Sequence, residues 1–364
     1  MVKPIKTAVI GCGNISDIYF QNFARWDILD VMACSSLNME NAEKQAAKYQ
    51  LRALPMPQIM ADTSIALIVN LTPPDAHGKI GLAAVRAGKH IYNEKPLAIK
   101  LEDASLMIRA AKLQGLRIGC APDTFMGGGL QTCRELYDNG SLGEAIEAHA
   151  HFLGRGPEYK HPNPEFFYKA GGGPLMDMGP YYLTALVSLF GPVKKVTGIG
   201  HITREERIIQ SEPKRGGKIK VETPTNIGAV LEFENGLITT LAMSFDVGEP
   251  KAPFMEIFGT EGILRAPDPN TFDGPIWFRK NGVEEWGSIP VSYGYTENSR
   301  GIGAADMAYS IRYDLPHRAT GDLAYHVLEI MNAILQSSET GKHITLTSTC
   351  ERPAPFYKGL GEYT

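Results

Sequence analysis

The sequence predicts an α/β protein in two parts: an N-terminal, doubly wound parallel sheet and a C-terminal α+β domain with a large, mostly antiparallel open sheet. Three observations predict it. Up to residue 122, short apolar runs alternate with helical segments, the pattern of repeated β-α-β units. Beyond that point several segments alternate apolar and polar residues, as in a sheet with one covered face. The length of 364 residues exceeds one ordinary core, so two domains are expected, residues 1–122 and 123–364.

The run Thr7-Ala8-Val9-Ile10 is short, apolar and ends at Gly11, as a buried parallel strand should. A helix from about Ile15 to Trp26 and a strand over Leu29–Cys34 complete the first unit. Glu40–Tyr49 is rich in good helix formers and follows the capping candidate Asn38. Ile65–Leu71 reads as a strand halted by Thr72-Pro73-Pro74, Ile80–Ala87 as a helix, and His90–Tyr92 as a strand. Leu101–Gln114 then reads as a helix and Arg117–Cys120 as the last parallel strand.

In the second part a helix at about Leu130–Asn139 precedes strands at Glu144–Phe152, Val193–Ile202, Asn226–Glu234, Leu237–Phe245 and Phe254–Phe258. Asn235-Gly236 is a two-residue hairpin signal between two of them. Leu237, Thr239, Leu241, Met243 and Phe245 make one mostly apolar face, and Asp322–Gln336 forms a late amphipathic helix. The sheet's other face needs a cover, which predicts a homodimer or homotetramer built through it.

Composition narrows the class. With 43% hydrophobic and 21% charged residues the chain is globular rather than disordered. A net charge of -4 offers no basic face to nucleic acid, and Lys214-Arg215-Gly216-Gly217-Lys218 reads as a solvated turn. Cys12, Cys34, Cys120, Cys133 and Cys350 show no C-x-x-C spacing and an odd total, which argues against a disulfide framework or a thiolate zinc site. His149 and His151 share a strand face without a supporting carboxylate or cysteine pattern, so no metal is expected. No apolar stretch spans a bilayer, and the first strand leaves no room for a signal peptide. A cytoplasmic protein without membrane or nucleic-acid partners is expected.

Gly11-Cys12-Gly13-Asn14-Ile15-Ser16 follows the first strand and opens a helix, a turn of the G-x-G-x-x-small type. In such dinucleotide-binding turns the first glycine permits the bend, the second lets the backbone approach a pyrophosphate, and the small third residue allows close packing. The helix N-terminus then faces the phosphates. These features predict a Rossmann domain that binds NAD or NADP. The second strand ends Ala33-Cys34-Ser35-Ser36, with no carboxylate to repel a 2′-phosphate, which leans toward NADP or dual use. Ser35 and Ser36 also suit a simple capped turn.

Hydride transfer from an alcohol needs a group to take the hydroxyl proton. Lys95 in Glu94-Lys95-Pro96 lies at the carboxyl edge of a predicted strand, where ligands bind in open α/β sheets. Asp177 and Tyr181 lie in Gly171-Gly172-Gly173-Pro174-Leu175-Met176-Asp177-Met178-Gly179-Pro180-Tyr181. Pro180 suits a first helical turn, which puts Asp177 at the helix's N-terminal edge and Tyr181 about a turn later. Taken singly, each has a structural reading: a surface turn, a helix cap, a half-buried aromatic.

Jointly these segments resemble the glucose–fructose oxidoreductase, inositol dehydrogenase and rhizopine catabolism (Gfo/Idh/MocA) family over nearly the whole chain. The resemblance rests on GCGNIS, on LTPPDAHGKIGLAAVRAGKHIYNEKPLA from Leu71 to Ala98, and on GGGPLMDMGPYYL from Gly171 to Leu183. It implies that Gly11, Gly13, Asn14 and Ile15 line the pyrophosphate, and that Leu71, Thr72, Pro73 and His77 border the cofactor's far half. It implies further that Glu94 bonds the nicotinamide ribose, Lys95 contacts the reacting hydroxyl, and Asp177 binds or polarises the substrate. Many members carry histidine where this chain has Tyr181. Glucose–fructose oxidoreductase and dihydrodiol dehydrogenase types carry tyrosine there, so the expected catalytic set is Lys95, Asp177 and Tyr181, with Lys95 lowering the Tyr181 pKa.

The expected activity is hydride exchange between nicotinamide and a secondary alcohol of a sugar, sugar derivative or cyclitol. Asp123 and Phe125, after the last parallel strand, and His161 and Tyr168, in the polar and aromatic segment from Arg155 to Lys169, are expected to help bind that substrate. Three other readings stay open. One is a redox-neutral enzyme that oxidises its substrate transiently, another a dihydrodiol-type dehydrogenase, and the third a non-catalytic NADP(H) sensor.

Overall fold

The computed structural model describes residues 3–248 and 252–357. The chain opens with β1 (Ile5–Ile10), α1 (Ser16–Phe23), β2 (Leu29–Ser35), α2 (Met39–Tyr49), β3 (Arg52–Ala53), α3 (Met56–Ala61) and β4 (Leu67–Asn70). It continues through α4 (Pro74–Arg86), β5 (His90–Asn93), α5 (Leu101–Leu113), β6 (Ile118–Cys120) and α6 (Gly128–Asp138). Then come β7 (Ala145–Leu153), α7 (Gly173–Phe190), β8 (Val193–His201), β9 (Glu206–Ile208), β10 (Lys218–Lys220), β11 (Asn226–Phe233) and β12 (Ile238–Ser244). The last elements are β13 (Met255–Gly259), β14 (Gly262–Ala266), β15 (Ile276–Lys280), β16 (Gly287–Ile289), α8 (Ile302–Tyr313), α9 (Gly321–Thr340) and β17 (Ile344–Thr345).

Two compact units emerge. The first comprises the described residues of Met1–Gln131, Ser292–Leu328 and Pro353–Thr364; the second is Thr132–Val291 with Glu329–Arg352. This differs from the expected cut at residue 122, because the chain returns to the first unit after leaving it. The reason is non-local bonding: the Asp123 carboxylate accepts the Gly301 and Gly303 N–H groups, at 2.8 and 3.0 Å, and so caps α8.

The first unit holds a six-stranded parallel sheet in the order β3-β2-β1-β4-β5-β6. β4 is buried along its whole length, as a strand covered by helices on both faces must be. At the start of α2 the Asn38 side chain accepts the Glu40 N–H at 3.1 Å, the cap expected from the sequence. Strand order reverses between β1 and β4, so the crevice beyond their carboxyl ends is where a nucleotide binds in this topology.

The second unit is built on a nine-stranded sheet in the order β16-β15-β14-β13-β7-β12-β11-β8-β17. Only the central β12–β7 pair is parallel. A hairpin forms at Asn235-Gly236 as expected, but through a three-residue loop, Glu234-Asn235-Gly236, rather than a two-residue one: Gly236 has φ +88° and the Phe233 N–H donates to Leu237 O. Thr239, Leu241 and Met243 point into the core beneath α7, and Ile238 faces outward. Beside this sheet lies a small hairpin, β9–β10. Among the described residues no helix is long and apolar enough to cross a membrane.

Candidate active site

The turn after β1 is shaped by two glycines with different tasks. Gly11 sits at φ +108°, and a Cβ there would stand 2.5 Å from the Leu71 carbonyl carbon, so the turn closes against the end of β4 only with glycine. Gly13 has no described atom within 4 Å of a built Cβ, which leaves its backbone open to an approaching group. Ser16 turns back to Gly13, its hydroxyl donating to the carbonyl oxygen at 2.6 Å. Among the described residues no side chain caps α1; its Ser16 N–H donates to Gly13 O at 3.0 Å, and the helix's positive dipole end faces the turn. Backbone, dipole and space therefore suit a dinucleotide pyrophosphate.

At the carboxyl edge of β5 the chain turns through Glu94-Lys95-Pro96, with Lys95–Pro96 cis. Both Glu94 carboxylate oxygens are held: Tyr19 of α1 donates to one at 2.6 Å and the Lys95 N–H to the other at 2.8 Å. Tyr19 is fully buried, and burial with the nearby Glu94 pushes its phenol well above the ordinary value, so it remains a donor. Asn70 and Asn93 face each other at the ends of β4 and β5 and are joined at 3.0 Å. Lys95 and Glu94 are half-buried.

The Gly171–Gly173 segment leads into α7 because bulk is excluded there. A Cβ on Gly172 would lie 2.6 Å from Phe167 O, and one on Gly173, at φ +85°, 2.8 Å from Pro224 O. The helix begins about one turn earlier than expected, at Gly173. Pro174, not Pro180, occupies the first turn, and Pro180 lies inside the helix, where it has no N–H to give. Every residue of α7 is buried except Asp177 and Tyr181. Four apart, these two share one helix face.

Residues 5–121 match the family described as an oxidoreductase family with an NAD-binding Rossmann fold, and residues 130–265 match the GFO/IDH/MocA C-terminal domain. This chain belongs to the Gfo/Idh/MocA family. A scyllo-inositol 2-dehydrogenase (NADP(+)) of Bacillus subtilis is 22% identical, over 95% of this chain and 97% of its own. A myo-inositol 2-dehydrogenase of Thermotoga maritima is 22% identical over 72% of this chain and 75% of its own. Among solved structures, an NAD-binding oxidoreductase from Klebsiella pneumoniae superposes with a TM-score of 0.83 at 19% identity, covering 95% of this chain and 99% of that one. A levoglucosan dehydrogenase in complex with NADH and L-sorbose gives 0.82 at 19% identity, covering 95% and 100%. The likeness of these structures is one of fold. Family membership makes the chain an oxidoreductase with an NAD-binding domain.

Within this Gfo/Idh/MocA frame the structure sorts the expected site residues. Gly11, Gly13, Asn14 and Ile15 form the glycine turn, and Leu71, Thr72 and Pro73 stand across from it at the end of β4. Ser35 is buried and its carbonyl accepts the Gly11 N–H at 2.8 Å, while Ser36 is half-buried. Four of the expected residues are buried. His77 is fully enclosed, with each ring nitrogen 2.7 Å from a backbone carbonyl oxygen, those of Pro96 and Thr72. Asp123 is buried under α8 and takes a further bond from Tyr92 OH at 3.2 Å. Phe125 is buried in its short 3-10 turn.

Tyr168 lies in a core cluster with Ile209, Ile219, Val221 and Phe245, its hydroxyl donating to Glu158. Glu158 is in turn paired with the buried Arg207 at 3.0 Å, and Arg207 also pairs with Asp246. Tyr168 thus anchors the segment ahead of α7. His161 packs edge-on against Phe166 and Phe167, and its Nδ1 accepts the Asn163 N–H at 3.0 Å. Among the described residues no group of three or more His, Cys, Asp or Glu is placed to hold a metal. Tyr19, Asn70 and Asn93 were not expected in the site region. The available signal was two buried apolar strands that each end in asparagine.

Proposed function

We propose that this protein is an NAD(P)-dependent dehydrogenase or reductase acting on a secondary alcohol of a sugar, sugar derivative or cyclitol. The observation that carries this reading is the α7 face. In a helix otherwise buried, Asp177 and Tyr181 alone stay outside the core, at the motif where the family carries its substrate-binding acid and proton acceptor. Support comes also from relatives named inositol dehydrogenases and from the levoglucosan dehydrogenase fold.

Gly11, Gly13, Asn14 and Ile15 would hold the pyrophosphate, Leu71, Thr72 and Pro73 would border the far half, and Glu94 would bond the ribose. When bound, nicotinamide supplies a hydride donor or acceptor. Asp177 accepts a hydrogen bond from the substrate and orients it. Tyr181 exchanges the proton of the reacting hydroxyl. A phenol ordinarily ionises near pKa ~10, and a neighbouring cation lowers that value. The family motif assigns that part to Lys95.

With no acid at the end of β2, a 2′-phosphate meets no repulsion, which favours NADP or dual use. Five free cysteines suit a reducing, cytoplasmic setting. The outward face of the nine-stranded sheet carries exposed Ile199, Val230 and Ile238, which suits a homodimer or homotetramer through that face.

The test is absorbance of reduced nicotinamide with aldoses, glycosides and inositols, using NAD⁺ and NADP⁺ in parallel. Turnover with at least one polyol is expected, and Tyr181→Phe should lower kcat by roughly 10²-fold or more. Full turnover in Tyr181→Phe with loss in Lys95→Ala would make lysine the acid/base. No turnover with either nucleotide would overturn the dehydrogenase reading in favour of a redox-neutral enzyme or a sensor.

A further inference from the structure

His77 lies in the first turn of α4 and is fully buried. Its Nδ1 stands 2.7 Å from the carbonyl oxygen of Pro96, and its Nε2 stands 2.7 Å from that of Thr72. Both ring nitrogens therefore meet acceptors on two different turns, one leaving β4 and the other leaving β5. The second turn is held at neighbouring points as well. The Glu94 N–H donates to Asn70 O at 2.8 Å, and Asn93 Nδ2 donates to Leu97 O at 3.1 Å. Asn93 Nδ2 also reaches the His77 carbonyl at 3.5 Å. Lys95 is thus suspended between Glu94, fixed on one side, and Pro96, whose carbonyl is fixed by His77 on the other.

We propose that His77 is a positioning residue: held rigidly between the Pro96 and Thr72 carbonyls and hydrogen-bonded to one of them, its ring fixes the spacing of the two turns and so sets the direction in which Lys95 presents its ammonium group. This rests on the reading that Lys95 serves the reacting hydroxyl. It also assigns the histidine a task other than bordering the cofactor. A neutral imidazole donates from one ring edge only, so the ring hydrogen-bonds one of the two carbonyls and packs its other edge against the second. Burial pushes the imidazole below its ordinary pKa; the two carbonyls and Glu94 oppose that shift, and Lys95 adds to it. Glutamine keeps a donor but on a flexible stem, and phenylalanine fills the space with no donor.

The experiment compares wild type, His77→Gln and His77→Phe by three readouts. Amide hydrogen exchange over residues 94–98, in protein without nucleotide, should be slow in wild type and about tenfold faster or more in both variants. The dissociation constant for reduced nicotinamide nucleotide, read by fluorescence, should stay within about threefold. The kcat should fall on the order of a hundredfold, the scale of a small misplacement of a reacting group, with the nucleotide KM little changed. Unchanged exchange with nucleotide affinity reduced more than about tenfold would overturn the proposal and restore His77 to the cofactor border. Fast exchange over 94–98 in wild type would overturn it too, with no variant needed if neither folds. Exchange and affinity require no turnover, so they decide the positioning role even if the proposed substrate class fails.

Discussion

Asp123 has one carboxylate oxygen that accepts three hydrogen bonds and another that is buried without a hydrogen-bond partner among the described residues. Burial lifts its pKa to about 6, against the pull of the Gly303 and Gly301 N–H groups. Since this folded value exceeds the unfolded ~3.9, the native state holds the proton more tightly. The stabilisation is full below the unfolded pKa and is lost as pH rises through about 6. Asp123→Asn should therefore remove a fall in Tm between roughly pH 4 and 6 that wild type shows, in melts recorded side by side. An unchanged difference between the two proteins across that window would show that Asp123 does not titrate as described. At this scale the sequence was least legible. Asp123, Phe125 and Tyr168 stood close to motif residues along the chain, but their partners lie elsewhere, in the case of Asp123 at Gly301 and Gly303. Spacing along a sequence does not reveal such partners.

Among the elements, the turn from β1 to α1 separates two kinds of glycine requirement. Gly11→Ala must place a Cβ at φ +108° against the Leu71 backbone, at a strain cost of roughly 1–3 kcal/mol before the clash is counted. Gly13→Ala meets no described atom, so the fold should be kept while nucleotide binding weakens. Thermal melting paired with a nucleotide titration separates the two, and a stable Gly13→Ala protein with full affinity would remove that backbone from the pyrophosphate site. The elements most legible in the sequence were those with strong local signals: Asn38 at the cap of α2, the Asn235-Gly236 hairpin, and the buried runs of β1 and β4. α8 escaped notice because Gly303, Ala304, Ala305 and Ala308 blur its apolar period. The start of α7 was misplaced because two prolines, Pro174 and Pro180, both resemble a first-turn residue, and the buried face that favours the earlier one is a tertiary fact. The Asp177–Tyr181 spacing survived that error, since a separation of four gives one helix face wherever the helix begins.

For the whole molecule, the parallel-then-antiparallel division read from periodicity matches the two sheets, while β14, β15 and the short edge strands β16 and β17 were missed. The outer sheet face supplies the prediction at this scale. Ile199, Val230 and Ile238 are 77%, 41% and 49% exposed on neighbouring strands, an apolar strip costly to leave in water. Ile199→Lys together with Ile238→Lys should shift the mass seen by light scattering from an oligomer to a single chain, and an unchanged mass would place the interface elsewhere. A second consequence follows from the interrupted first unit. The ribosome delivers β1 to β6 early, but the N–H groups that receive the Asp123 carboxylate emerge only at Gly301 and Gly303. The nucleotide-binding half therefore cannot reach its final form while it is being made. It must wait, with Asp123 and Tyr92 uncovered, for a segment synthesised after nearly all of the other half. Cutting at residue 122 to exchange nucleotide domains between relatives would strand that carboxylate in the same way, so a transplantable unit has to carry residues 292–328 with it.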